Sequence, residues 1–568
     1  MAANIFQTKS IEQLTGDIEK GKGLKRSLTA LDLTLLGIGA IIGTGIFVLT
    51  GTAAANQAGP AITLSYVLAG LACGFAALCY AEFASMIPVS GSAYTYAYAT
   101  LGEVVAWMIG WDLILEYAVG SMTVAIGWSG YFQRVLAKFD IILPTWAQAG
   151  PGILPGAVIN LPAVIIVLLM MILLIVGVRE SARFNGAMVF IKVLAVLIFL
   201  GVGFSHVEPT NWQPYAPYGW SGVMGAAAVV FFAYIGFDAV STTAEEAKNP
   251  QRDLPIGIIA SLVICTVLYI AVAAVLSGII PVTEYRSNES TLPGLPIQSP
   301  ENITRFLNAP VGFVLGSLGV GWADALVAAG AVAGITSVLL VMLMSQPRIF
   351  FSMSRDRLLP QGISKIHPKY GTPYITTAIT CIVVAIFAGF TRIEVVGEMT
   401  SIGTLFAFVV VCAAVMVLRV KRPDVKRPFT APGGQLTPIL GVLSCAYLML
   451  SLATLTWVRF LVWLNIGMVI YWFYSRTHSP LYNPEVEAKK DAADRRADFL
   501  TTWGGLGVFN GIWITLVGLM TVLGINGEAT AKWHEVHVTP EQAAIGGFVI
   551  LVVSSILVFI GRPKTKAA

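Results

Sequence analysis

Charge is scarce in this chain of 568 residues: aspartate, glutamate, lysine and arginine make up 12% of it, about half the share usual in soluble domains. That composition excludes a water-soluble globular domain. The five histidines lie mostly in loops and lack metal-ligand spacing. The six cysteines, at 73, 79, 265, 381, 412 and 445, sit inside apolar runs and form no CxxC pair. They read as packing residues, which excludes a disulfide scaffold and a thiolate metal centre. HExxH, P-loop and GxSxG patterns are missing, so nothing points to an enzyme. Residues 1–30 are polar and hold no apolar core of a cleavable signal.

What is abundant is hydrophobic: 56% of the residues, with a mean hydropathy of +0.78. Apolar runs near twenty residues recur from residue 31 to residue 561, each long enough to span about 30 Å of hydrocarbon. This pattern predicts an all-α membrane protein of fourteen helices, numbered here in chain order: 31–56, 61–86, 104–133, 157–177, 185–205, 220–245, 255–280, 321–352, 374–390, 396–418, 437–456, 459–475, 501–525 and 541–561. Basic residues test the count. With the N-terminus in the cytoplasm, 27 of the 35 lysines and arginines fall in cytoplasmic segments and seven on the other side. One miscounted helix would scramble that asymmetry. The expected location is the cell membrane, with both termini cytoplasmic. The net charge of +4 follows from topology. It suits contact with anionic lipid heads and gives no reason to expect nucleic acid.

Helix 1 carries "GIGAIIGTGIF" (37–47), four glycines in eleven residues, and is read as interrupted at Gly39–Gly45. Each weakens a helix by roughly 1 kcal/mol relative to alanine. Helix 6 is interrupted in turn near Ala233–Gly236, with Asp238 directly after. If helices 1–5 and 6–10 are repeats, both breaks fall in the first helix of a repeat, and an odd helix number inverts the second. Paired interruptions of this kind point to a transporter site near the midplane. Unwound backbone bares amides suited to a carboxylate and carbonyls suited to an ammonium, which together describe a receptor for an amino acid backbone. The plainer alternative is that Gly39 and Gly43 form a small-residue packing face.

Four stretches carry a resemblance: "GIGAIIGTGIF" (37–47), "YAEFASMIPVSGSAYTYAY" (80–98), "FFAYIGFDAVSTTAEEAKNPQRDLPIGI" (231–258) and "FSMSRDRLLP" (351–360). Over about residues 25–480 the chain resembles the amino acid–polyamine–organocation superfamily, and within it the bacterial cationic amino acid transporters. The resemblance implies a LeuT-type 5+5 inverted repeat with discontinuous helices 1 and 6, plus four extra helices. The implied organisation is an N-terminal cytoplasmic segment (1–30), repeat 1 (31–206), repeat 2 (219–419), helices 11–12 (437–476), a cytoplasmic linker (477–500), helices 13–14 (501–561) and a tail (562–568). It also implies that amides of Thr44 and Gly45, with Gly43 beside them, hold the substrate carboxylate. Carbonyls of Ile41, Phe232, Ala233 and Ile235 would hold its ammonium. The Phe232 ring would cover the substrate, and Ile335 would meet its side chain. Both side chains read equally as plain packing.

Lys192 lies within helix 5, about seven residues from its cytoplasmic end. An ionisable group at membrane depth is a functional hypothesis, and burial disfavours its charged form. In proton-coupled members of the superfamily a helix 5 lysine replaces a coupling cation and bonds to carbonyls of helix 1. The expectation is therefore H+ symport through Lys192, with protons as the coupling ion and no cofactor. The alternatives are a permanently charged structural lysine and one that snorkels toward the interface. Asp112 and Glu116 share one face of helix 3, and Glu116 is a candidate partner for a cationic substrate side chain. Glu82, Glu103, Glu245 and Glu246 read as gate or structural groups, and Asp324 lies near an outer end. Asn288 and Asn302 open glycosylation-type triplets.

The apolar lining favours a broad range leaning to small neutral amino acids such as alanine. Arginine, lysine and ornithine are the alternative, as is an exchanger without proton coupling. A receptor that binds without turnover and a channel fit less well, because no long tail and no continuous polar pore are seen. The expected partners are the amino acid and membrane lipids, for a monomer with room for an accessory single-helix subunit.

Overall fold

The computed structural model describes residues 7–9, 28–87, 92–176, 182–244, 247–287, 292–363, 365–370, 372–479 and 540–560, with 500 and parts of 503–519. Glu245, Glu246, the Asn288 triplet, the linker 480–499 and most of helix 13 lie outside the described residues. Among the described residues the chain is helical, with one isolated bridge joining Leu28 to Ala247. Among the described residues seven helices are long and apolar enough to cross a membrane, and shorter apolar helices of 10–17 residues accompany them.

The long runs fold where hydrophobicity places them. Helices 2, 3, 8 and 10 span Ile62–Met86, Glu103–Ala137, Gly321–Arg355 and Ile393–Lys421. Helix 4 is Leu161–Val176, helix 5 Ala182–Phe204 and helix 9 Tyr374–Phe390. Helix 7 starts earlier than expected, at Pro250, because proline at a first helical turn gives up no intrahelical bond. Helices 11 and 12 also correct the sequence reading. The turn between them lies at Ser451–Ala453, after Leu436–Leu450 and before Thr454–Ile470. The flanks are apolar on both sides, so composition did not mark it. Residues 300–317, outside the fourteen expected spans, form two short helices, Pro300–Asn308 and Pro310–Ser317. Ser92–Thr100 is helical as well.

Two groups of helices emerge. Helix 7 packs along helices 1 and 2, while helix 8 packs along helix 3 and helix 9 along helix 4. Helix 5 touches helices 1, 7 and 8, bridging the groups. The surface is inverted relative to a water-soluble protein. Phe190, Leu194, Leu197, Ile382, Ile386 and Phe387 are exposed, whereas Lys192, Asp112 and Glu116 are buried. That is the arrangement hydrocarbon selects, since unpaired charge is costly there.

The two ends of the bundle are fastened by ions. At one end Arg134 of helix 3 donates to Asp324 of helix 8 at 2.7 Å and to the Gly312 carbonyl at 2.6 Å, and Lys138 also pairs with Asp324. At the other, Glu82 of helix 2 accepts from Arg419 of helix 10 and lies 3.6 Å from Arg427. Glu103 there accepts from Tyr98 and Tyr471, each at 3.0 Å, and from Ser479.

Candidate functional site: the paired helix breaks

Helix 1 begins with a capping box between Thr29 and Asp32 and runs as Ala30–Ile41. It then unwinds over Ile42 and Gly43 and is helical again from Thr44, which leads into a π-helical turn, Gly45–Leu49. The gap is shorter than Gly39–Gly45, because Gly39 stays helical. Helix 6 runs as Gly219–Val230, tightens into a 3-10 turn at Phe231–Tyr234 and resumes at Ala239–Thr242 after the turn at 235–238. Gly236 sits at φ 120°, a region that side chains beyond glycine disfavour.

The breaks interlock through backbone. A Cβ placed on Gly45 would lie 2.4 Å from Cα and Cβ of Ala233, and one on Gly236 would lie 2.9 Å from the Ala40 carbonyl. Helix 8 closes the third side: Val338 is the nearest neighbour of Gly43, and Gly334 abuts the stem of Lys192. Ile41, Gly43, Thr44, Gly45, Phe232, Ala233, Ile235, Lys192 and Ile335 are therefore gathered in one region. All nine are buried.

The polar groups of that region are directional. Thr44 and Gly45 open the second half of helix 1, where the first amides have no intrahelical acceptor. Ile41 ends the first half, so its carbonyl lies at the negative end of that segment. The Phe232 carbonyl accepts the Ile235 amide at 3.1 Å. The Tyr269 hydroxyl of helix 7 reaches Ile41 O at 3.0 Å and Ala233 O at 2.7 Å. Sequence reasoning missed Tyr269. Its only signal is a phenol in the middle of an apolar run, where a buried hydroxyl requires an acceptor.

Lys192 is 0% exposed. Its ammonium donates to Gly39 O, to Ile42 O at 3.0 Å and to Ser337 Oγ at 3.3 Å. Three acceptors meet the three protons of an ammonium, and the side chain does not snorkel to an interface. Ser337 was the other missed residue. It lies one helical turn beyond Gly334, the small residue that makes room for the lysine stem.

Glu116 faces helix 10, with its Cβ beside Gly403, and lies within electrostatic reach of Asp238 past the helix 6 break. One Glu116 oxygen and both Asp112 oxygens have no hydrogen-bond partner among the described residues. Glu82, Glu103 and Asp324 are each tied to the partners described above. All six cysteines are free and buried. Asn302 lies in the first turn of a short helix, where its amide donates to Ser299. No cluster of three or more metal-ligating side chains occurs among the described residues.

Two discontinuous helices thus bring amides, carbonyls and one lysine to one buried region, and comparison with known proteins places the chain in a family. The amino acid permease family profile matches residues 28–484. The chain is 50% identical to the branched-chain amino acid permease BcaP of Bacillus subtilis over 483 residues, 85% of this chain and 100% of that protein. It is 46% identical to a methylthioribose transporter of the same organism over 479 residues, covering 84% and 99% of the two chains. It is 37% identical to the vacuolar cationic amino acid transporter 4 of Arabidopsis thaliana over 409 residues, 71% and 64% of the two. These relatives are transporters and not enzymes. The chain belongs to the amino acid permease family, within the amino acid–polyamine–organocation superfamily of membrane transporters.

Proposed function

We propose that this permease is a proton-coupled symporter that imports amino acids by alternating access between the two helix groups. The single observation that carries the reading is the Lys192 ammonium seated on the Gly39 and Ile42 carbonyls at the helix 1 break. When protonated, it fastens helix 5 to helix 1. When neutral, it loses the charge-assisted part of those bonds, so proton binding and the geometry of the break are linked. The substrate carboxylate takes the amides of Thr44 and Gly45 beside Gly43, and its ammonium takes carbonyls among Ile41, Phe232, Ala233 and Ile235. The wider architecture belongs to the same reading: a LeuT-type 5+5 repeat over 31–206 and 219–419, fourteen spans, and cytoplasmic termini in the cell membrane. The 27-to-7 distribution of basic residues and the two breaks support it.

Phe232 and Ile335 make the lining apolar, which favours neutral side chains, and the 50% identity to a branched-chain permease supports that choice. A second reading rests on Glu116, whose unpartnered oxygen would suit a cationic side chain. Uptake of labelled valine, alanine and arginine into proteoliposomes, with methylthioribose as competitor, separates these readings. Neutral amino acids are expected to accumulate against their gradient when the outside is acid. In Lys192→Ala, accumulation is lost while amino acid counterflow persists and no longer responds to pH. Counterflow that never responds to pH in the wild type sinks the symport reading and leaves an exchanger.

A further inference from the structure

Tyr269 contacts both breaks at once. Its hydroxyl lies 3.0 Å from Ile41 O and 2.7 Å from Ala233 O. These oxygens belong to different helices, 192 residues apart in sequence. A phenol has one proton and cannot satisfy both at once, while each carbonyl has two lone pairs. The pair therefore keeps capacity for a further donor.

The ring cannot easily move away. Tyr269 is 0% exposed and packs against Tyr66 of helix 2 and Tyr234 of helix 6, each with ring centroids 5.3 Å from its own. Those two rings are themselves anchored. Tyr234 donates to the Tyr66 carbonyl at 2.9 Å, and the Tyr66 hydroxyl meets Thr50 Oγ1 at 2.6 Å. Helices 2, 6 and 7 thus hold one hydroxyl at the junction of two broken helices. Two carbonyls facing each other at this depth, with neither water nor donor, would be expensive to leave bare.

Resting on the reading that these carbonyls receive the substrate's ammonium, we propose that the Tyr269 hydroxyl is a built-in stand-in for it. The hydroxyl ties helix 1 to helix 6 in the empty carrier, so that the carrier can return without substrate. In the loaded carrier the ammonium supplies the tie itself. Tyr269 is therefore a positioning residue for the empty half of the cycle, distinct from Lys192, which carries the proton response.

The test is Tyr269→Phe in proteoliposomes, compared with Tyr66→Phe, which removes a hydroxyl from the same ring cluster without touching both breaks. Counterflow exchange uses only loaded carriers, whereas net downhill uptake also needs the empty return. Tyr269→Phe is expected to lower net uptake by about tenfold, the equilibrium weight of one buried hydrogen bond. It should leave counterflow near wild type and tighten equilibrium substrate affinity, because a bond made only in the empty carrier opposes loading, and the residual uptake should keep its response to pH. Tyr66→Phe should lower net uptake and counterflow together or neither. Parallel loss of both rates and of affinity in Tyr269→Phe would show a wall residue and overturn the proposal, as would no change at all. Should the variant not reconstitute, 3-fluorotyrosine at 269, a stronger donor of nearly the same shape, must change the ratio of net uptake to counterflow. An unchanged ratio overturns the proposal. A wild type that neither binds nor exchanges any amino acid overturns the functional reading itself, before any variant is compared.

Discussion

Single atoms decide the chemistry of this permease. Lys192 has three protons and three acceptors, two of them carbonyls at the end of a half-helix, so a full charge is accommodated without a carboxylate partner. Gly45 shows how little room surrounds it. A methyl group there would meet Ala233 at 2.4 Å, closer than any real contact. Gly45→Ala is therefore expected to destabilise the protein by about 2 kcal/mol or more through overpacking, and to abolish substrate binding because helices 1 and 6 must part. Thermal unfolding in detergent together with a binding isotherm checks this, and a variant that melts and binds like wild type refutes the interlocked geometry.

Helix ends and breaks do the work of elements. The second half of helix 1 is covered by the paired helices Pro300–Asn308 and Pro310–Ser317, with Pro310 and Phe306 against Gly51, while Asn308 lies against Gly130 of helix 3. The opposite end is held by Glu82, 2% exposed, between Arg419 and Arg427, whose side chains are 10% and 13% exposed. Removing one member of a buried ion pair leaves the others uncompensated, a loss of roughly 3 kcal/mol or more. Glu82→Gln should lower the melting temperature markedly, whereas a joint change of Glu82 and both arginines to neutral residues should recover part of the loss. If the single change leaves the melting curve in place, the network contributes nothing to stability. The element boundaries that composition left unmarked are those where apolar residues continue through a turn, as at Ser451–Ala453.

At the scale of the whole molecule, the part shared with the relatives is shorter than the chain. A complete relative aligns within 483 residues at 50% identity, and the family profile ends at residue 484. Helix 14, Pro540–Ile560, lies beyond that part. It packs on helix 13, with Ser554 against Gly507 and Leu551 against Gly511. A chain ending after residue 484 is therefore expected to fold and to transport within about threefold of full length, since distant sites are close to additive. Loss of uptake on truncation, with the protein still folded by gel filtration, would place helices 13 and 14 inside the mechanism.

The sequence by itself determined the apolar helices, the two breaks and the buried lysine. Each of these is a local property: twenty apolar residues match a hydrocarbon thickness, clustered glycines unwind a helix, and a lysine amid leucines must find acceptors. Gly39–Gly45 and Ala233–Gly236 were legible for that reason, although the exact unwound residues, Ile42 and Gly43 in helix 1 and 235–238 in helix 6, were not. Tertiary structure alone decided what those breaks face. Tyr269 lies 228 residues from Ile41 and Ser337 lies 145 from Lys192, and nothing in their neighbouring residues announces the partner. The bond exists because helices 7 and 8 pack where they do, and packing sums over the whole bundle rather than over any window of the chain.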